Sequence, residues 1–300
     1  MPINTGSMPE LLRPGLNKLF GDTYGGFKEE HLYLFDKAKS ERSYEEDVQL
    51  TGLGYAPVKS EGASIDYDDI AQGFKHRYQM ATVALAVSMT EEVIEDNLYE
   101  SVATRVTRAL ARSASATINT YAANIYNRGF NSAYTYGDGK EFFATDHPTP
   151  AGVYANETAA AAFSQAALED LGVLIDQAKD YRGIPFPLRS KCLIVPAALR
   201  FQASRILESH LESSSADNAI NVVKSTGMFP DGYEVNHYLT SATSYFIKTD
   251  LMDAVRFFDR LPAEYSSDND FDTGNEKLKM RMRFAFGVTD AKGAFANVGA

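Results

Sequence analysis

The chain has 300 residues, 44% of them apolar, and a formal net charge of −11 at pH 7, enough to build ordinary cores in one or two domains. That acidity argues against tight non-specific binding to nucleic acid, because phosphate affinity comes largely from neutralisation by Lys and Arg; it does not exclude the wall of a container that must not stick to its contents. The single cysteine, Cys192, leaves no internal disulfide and no cysteine cluster for a metal, and in the apolar run 191–196 it reads as a small buried residue.

No run of about 18 apolar residues occurs, and residues 1–20 lack the charged start and apolar stretch of a signal peptide. The expectation is a chain without membrane contact, kept in the cytoplasm until assembly. Residues 1–41 are punctuated by Gly and Pro, with short amphipathic pieces at Leu11, Leu12 and Leu16 and at Leu19 and Phe20. They read as an arm with one short helix. Residues 44–70 combine Glu45, Glu46 and Asp47, then Gly52, Gly54 and Pro57, then Asp66, Asp68 and Asp69. Such a stretch buries little on its own, and a structureless loop of this length is uncommon without a purpose; plain solvated surface is the alternative reading of its charges.

Phe74, Tyr78 and Met80 then share one strand face with Lys75, Arg77 and Gln79 opposite, but from Ala81 the larger apolar residues Val83, Leu85 and Val87 occupy the other parity. Side chains alternate strictly along a strand, so a change of phase implies a bulge, a bend or a new environment. A strand leaving a projecting loop and entering the body near residue 81 is expected.

Ser88, three residues before Glu91, reads as a capping box with acids in the first turns. Ile94, Leu98, Val102, Val106, Leu110, Ala114, Ile118 and Ala122 follow at four-residue intervals, uninterrupted by Pro or Gly before Gly129. This predicts a helix of roughly 40 residues, ~60 Å long. Its apolar row drifts around the axis, which fits a helix laid along a sheet better than a coiled coil.

Further on, Tyr-Gly-Asp-Gly-Lys at 136–140 marks a turn or hairpin, and 163–181 reads as an amphipathic helix. Residues 191–195 read as a buried strand, with Pro196 at the first position of a helix through Leu199, Ala203, Ile206 and Leu207. Strands are expected at 233–239, 245–248 and 254–258. The clearest lies at 277–286, with Leu278, Met280, Met282, Phe284 and Phe286 on one face and Lys277, Lys279, Arg281 and Arg283 on the other.

Little catalytic chemistry is visible. Gly137-Asp-Gly-Lys140 is followed by Glu141 and is no phosphate loop, and neither G-x-S-x-G nor H-E-x-x-H occurs. Asp146 and His147, beside Pro148, could supply a base or ligand, although a structural loop explains them as well; His31, His76, His210 and His237 are scattered. Asp268, Asp270 and Asp272 open like a calcium loop, but Gly274 comes one place late and Lys279 stands where the bidentate Glu belongs. No catalytic, cofactor-binding or metal-ligating residue is assigned. The basic face of 277–283 reads as the wet side of a strand, or as a partner for acid from a neighbouring subunit.

The order of parts (arm, projecting loop, long helix, mixed α/β region, return to a long C-terminal strand) resembles the major capsid proteins of tailed bacteriophages with the HK97 fold. More narrowly, Gly52-Leu-Gly-Tyr-Ala-Pro57 with Glu61-Gly-Ala63, the run 90–97, Ala144-Thr-Asp-His-Pro148 and the run 284–290 are similar to the Mu-type major head subunit group. The resemblance implies an α+β capsid fold: an N-terminal arm at 1–41, an E-loop at 42–82 lying across an adjacent subunit, a peripheral domain with a spine helix at 83–135, an axial domain at 136–255, and C-terminal strands at 256–300 completing the peripheral domain. It implies a structural, non-enzymatic subunit that forms pentamers and hexamers of an icosahedral shell around double-stranded DNA, bound without sequence specificity. Its partners would be copies of itself, a portal, decoration proteins and a separate scaffolding protein, since the arm is shorter than the scaffolding region of the better-known family member. Assembly is expected in the bacterial host cytoplasm and final residence in the virion capsid.

Glu45, Glu46, Asp47, Asp66, Asp68 and Asp69 are the expected subunit-contact acids, with Arg281 and Arg283 as their basic counterparts. An encapsulin-like compartment shell is the first alternative, and a soluble hydrolase using Asp146 and His147 the second.

Overall fold

Two sheets, each covered by helices, organise the fold. The computed structural model describes residues 9–62, 64–90, 92–93, 99–211, 220–270 and 273–300. The chain begins with α1 (Pro9–Gly25), α2 (His31–Leu34) and β1 (Asp36–Lys39), followed by a ribbon of β2 (Tyr44–Leu50) and β3 (Gln72–Gln79), then β4 (Ala81–Met89) and α3 (Tyr99–Asn127). A small hairpin, β5 (His147–Thr149) and β6 (Gly152–Tyr154), leads to β7 (Glu157–Thr158), α4 (Gln165–Asp176), β8 (Ser190–Pro196), α5 (Arg200–Glu208) and α6 (Val222–Ser225). The remaining strands are β9 (Tyr233–Asn236), β10 (Tyr245–Thr249), β11 (Val255–Asn269), β12 (Glu276–Val288) and β13 (Ala294–Asn297).

The first sheet has the order β1-β11-β12-β4. On β12 the alternation is realised as expected: Leu278, Met280, Met282 and Phe284 are buried, while Lys277, Lys279 and Arg281 are exposed. The buried row packs in one core with Leu110, Ala114, Ile118 and Ala122 of α3 and Leu16 and Phe20 of α1. Each of the Leu, Ile, Met and Phe side chains contributes roughly 1.5–3 kcal/mol when fully buried. The small residues Ala103, Ala111 and Ala123, all fully buried, let neighbouring elements approach α3 closely. Asn119 of α3 accepts the His31 amide at 3.1 Å, and the Tyr126 hydroxyl donates to Leu34 O at 3.1 Å, fixing α2 to the helix.

The second sheet runs β7-β13-β10-β8-β9. Its central strands are buried on both faces: Phe246, Ile194, Ala294 and Ala296 join the first core, while Tyr245, Ile247, Leu193, Val195 and Phe295 pack with α4 and Ala203 of α5. Ser164 caps α4 by accepting the Ala167 amide.

The change of phase at Ala81 marks a change of sheet. Among the described residues β3 pairs with β2 alone, β4 pairs with β12, and the buried Met80 lies between them.

Several expectations need correction. Ser88 is no helix cap; it is a strand residue of β4 paired with Lys277, because sheet pairing overrode a local pattern, and Glu91, Ile94 and Leu98 lie outside the described residues. The long helix is described over 29 residues, Tyr99–Asn127, and Glu92 and Val93 ahead of it are also helical, so its expected length of roughly 40 residues is not contradicted. The 1–41 region holds a 17-residue helix and a strand, β1, that pairs in parallel with β11, so it is built into the body more firmly than an arm with one short helix. Pro196 ends β8 and precedes a 3-10 turn, Ala197–Leu199, rather than opening α5 directly. β11 continues to Asn269, past Pro262, where the register shifts; proline has no N–H for the ladder, and the shift accommodates it. Finally, β13 pairs with β10, so the last strand belongs to the second sheet, not with β11 and β12.

Candidate subunit-contact surface

Between β2 and β3 the described residues of 51–71 form no helix or strand, and their apolar side chains point outward. Val58 is 99% exposed, Tyr67 97%, Tyr55 75% and Ile65 66%. Large apolar side chains left this uncovered within one short segment point to an interaction site.

The root of the ribbon is firmly held. Asp47 lies 3.0 Å from the Arg256 guanidinium and accepts from the Thr289 hydroxyl at 3.1 Å. Since Thr289 donates to Asp47, its oxygen accepts the Tyr78 hydroxyl, 2.5 Å away. Burial raises the pKa of Tyr78, which keeps it protonated as the donor. The ring of Tyr78 meets Phe258 edge-on at 4.9 Å. Gly287 makes the crossing over β12 possible: a Cβ there would lie 2.6 Å from the Tyr78 ring and 2.8 Å from His76 Nε2.

Farther out, the loop is clasped at one point. Asp68 accepts from the Arg182 guanidinium at 2.6 Å and from the Gly54 amide at 2.7 Å, and Arg182 also donates to the Asp69 carbonyl. The Arg182 hydrogen bond, followed by those from the Gly54 and Asp69 amides, lowers the Asp68 pKa to about 2. Arg182 sits in a tight turn closed by Gly183 N to Asp180 O at 2.9 Å, with Gly183 at φ 82°, a conformation that favours glycine. The turn rests on Tyr181, whose ring centroid is 3.6 Å from Lys292 Nζ. Burial lowers the pKa of Lys292, and the faces of Tyr181 and Tyr154 stabilise its cationic form.

The expected contact acids therefore divide. Glu45 accepts from Ser40 at 2.8 Å, Glu46 pairs with Lys75 at 2.5 Å across the ribbon, Asp47 pairs with Arg256, and Asp68 with Arg182. Asp66 and Asp69 are exposed and form no side-chain ion pair among the described residues. Arg281 is exposed and Arg283 half-buried, with the Arg283 Nε unpartnered; neither meets these acids within the subunit. Sequence reasoning missed Arg182, Arg256 and Thr289, which act on the loop and its root from more than a hundred residues away. The one available signal was Gly287, a glycine inside a strand, which marks close approach of another segment.

The Asp146–His147 pairing does not form. Asp146 pairs with Lys140 at 2.5 Å, while His147 is buried with Nδ1 2.6 Å from Asp138 and Nε2 3.0 Å from the Asn156 side-chain oxygen. The Asn156 amide nitrogen donates to the carbonyls of Phe142, Ala291 and Ala294, which fixes its oxygen toward His147. Burial pushes the Asp138 carboxyl up, but the His147 and Lys140 N–H groups outweigh it and leave the carboxyl below its ordinary value. The cluster ties β5 to residues 138, 156, 291 and 294 and leaves neither ring nitrogen free to act as a base. Cys192 is buried, and burial pushes its thiol up to about 12. Asp268 is a residue of β11 opposite Lys277, Asp270 pairs with Lys277 at 2.6 Å, and Asp272 lies outside the described residues. Among the described residues no group of three His, Cys, Asp or Glu is placed to hold a metal, and no helix is long and apolar enough to cross a membrane.

Several solved structures share this fold. The virus-like particle from Pyrococcus furiosus superposes with a TM-score of 0.55 at 10% identity, covering 95% of this chain and 98% of that one. A phage-related protein from Bordetella bronchiseptica gives 0.54 at 10% identity over 93% and 95%, and the procapsid of bacteriophage JBD30 gives 0.53 at 15% over 98% and 76%. At these identities the likeness defines the HK97-like α+β capsid fold alone. No curated protein sequence matches the chain. The family model described as phage capsid protein matches residues 74–297, and the chain belongs to that family.

Proposed function

We propose that this chain is a major head subunit of the Mu-type group, forming the pentamers and hexamers of an icosahedral shell around double-stranded DNA. The observation that carries this reading is the loop at 51–71, held at its root yet exposing Val58 and Tyr67 almost completely. A segment rich in apolar side chains that its own subunit leaves uncovered is stabilised by burial against a neighbour. In this reading residues 42–82 are the E-loop, laid across an adjacent subunit. The first sheet with α1 and α3 is the peripheral domain, and 136–255 with β13 added is the axial domain. The free acids Asp66 and Asp69 meet Arg281 and Arg283 of a neighbour, and many modest contacts of this kind sum by multivalency. Assembly uses a separate scaffolding protein, a portal and decoration proteins, takes place in the host cytoplasm, and needs no catalysis.

The likeness to a virus-like particle favours one second reading, an encapsulin-like compartment that encloses protein cargo. Electron microscopy of the protein expressed alone and with its neighbouring gene products tests both. Closed shells that fill with DNA support the head subunit, and closed shells that copurify with a cargo protein support the compartment. Failure to form any closed particle under either condition would contradict both.

A further inference from the structure

The two edges of the first sheet differ in a way that assigns them different roles. β1 forms one edge: it is four residues long and carries Lys37 and Lys39, with Lys37 paired to Asp259 at 2.9 Å. Short length and lysine are common guards against unwanted strand pairing. β4 forms the other edge. It runs nine residues, ATVALAVSM, without a charge, proline or glycine, and its register against β12 is unbroken. About half of its backbone N–H and C=O groups face away from β12, and among the described residues no strand pairs with them.

We propose that the free edge of β4 receives the loop of a second copy, residues 64–68 adding to the sheet as a further strand. This rests on the shell reading above and names the surface on which the loop lies. The two segments match on both faces. In the loop, Ile65 and Tyr67 alternate with Asp66 and Asp68, and all four are exposed. On β4, Val83, Leu85 and Val87 share the core side with Leu278, Met280 and Met282 of β12, and Leu85 is left 44% exposed at the rim. Ile65 and Tyr67 of the incoming strand continue that apolar row.

On the opposite face β4 presents Thr82, Ala84, Ala86 and Ser88, registered against Arg283, Arg281, Lys279 and Lys277. Adjacent strands lie about 4.8 Å apart, so a loop acid beside Ala84 or Ala86 stands roughly two strand spacings from β12. The methyl groups of Ala84 and Ala86 leave that space open to the long Arg281 and Lys279 side chains. Asp68 is already engaged by Arg182, which leaves Asp66 as the acid that meets this basic row.

Cysteine pairing tests the contact in assembled particles. Ala84→Cys is combined in turn with Ile65→Cys, Asp66→Cys and Tyr67→Cys, leaving the buried Cys192 in place, and Met252→Cys, whose side chain is 84% exposed, replaces the β4 cysteine as a control. Mild oxidation of particles is expected to give a ladder of disulfide-linked oligomers for at least one loop position with Ala84→Cys, and only monomer in unassembled subunits and in the control. Intact particles in which the β4 cysteine stays uncoupled, or couples to β4 of another copy or to a scaffolding protein, would overturn the proposal. In parallel, Ala84→Lys with Ala86→Lys places guards on the edge: particle yield is expected to fall at least tenfold while the melting temperature of the free subunit is unchanged. Wild-type particle yield from that variant would also overturn it. A wild-type chain that forms no particles would contradict the shell reading instead, so the two failures are distinguishable.

Discussion

Leu278, Met280, Met282 and Phe284 on β12 are at most 2% exposed, whereas Ile65 and Tyr67, set in the same two-residue period, are 66% and 97% exposed. In β12 the alternation builds a strand with one apolar face; in the loop, which forms no strand within the subunit, the apolar side chains of the same period stay open. What differs is whether the chain itself supplies the cover. β12 has α3 and α1 beneath it and strands on both sides; the loop has the Arg182 clasp and little else. A pattern therefore identifies a face to be buried without saying which molecule buries it.

The contrast can be broken most severely from the β12 side. Phe284→Ala is expected to destabilise the free subunit by about 3–5 kcal/mol, the range for removing a buried aromatic ring, measured by urea denaturation. An intermediate effect is expected at the junction of the two regions. Gly287→Ala drives a methyl group into Tyr78 and His76 and should cost about 1–3 kcal/mol, with faster proteolysis in the ribbon, as read by limited digestion.

A smaller effect follows from pH. Burial is the largest influence on both His31 and His76 and lowers each below the ordinary 6.5. The folded chain thus holds them neutral when the unfolded chain has begun to protonate. Their contribution is complete above pH 6.5 and is lost as pH falls through their lowered folded values. Denaturation midpoints measured down from pH 7 should decline, and Gln in place of either residue should flatten that decline. The least effect on the subunit is expected in the loop: Tyr67→Ala should change its stability by no more than about 0.5 kcal/mol while reducing particle yield. A large loss of subunit stability would mean the loop is covered by its own chain.

These regions also differ in how much of them could be read from the sequence. The faces of β12 and the change of phase at Ala81 were legible because strand periodicity is local. Ser88 was misread because a serine three residues before a glutamate looks like a helix cap, while its pairing with Lys277 lies far along the chain. β11 was cut short at Phe258 because Asp259, Arg260 and Pro262 interrupt the apolar alternation, and the shifts in register that absorb them depend on β12. Around the candidate surface, the loop and its acids stood out by composition. Their partners Arg182 and Arg256 did not, since a single arginine carries no local mark of the carboxylate it will meet. Likewise, Asp146 beside His147 suggested a dyad, but the chain folds so that Asp138 is the carboxylate in contact.

The most direct test is amide hydrogen exchange followed at residues 51–71 in free subunits and in assembled particles. If the loop is completed by a second copy, its amides exchange rapidly in the free subunit and become strongly protected in the particle, while the amides of β12 are protected in both. Equal exchange of 51–71 in the two states would contradict the account.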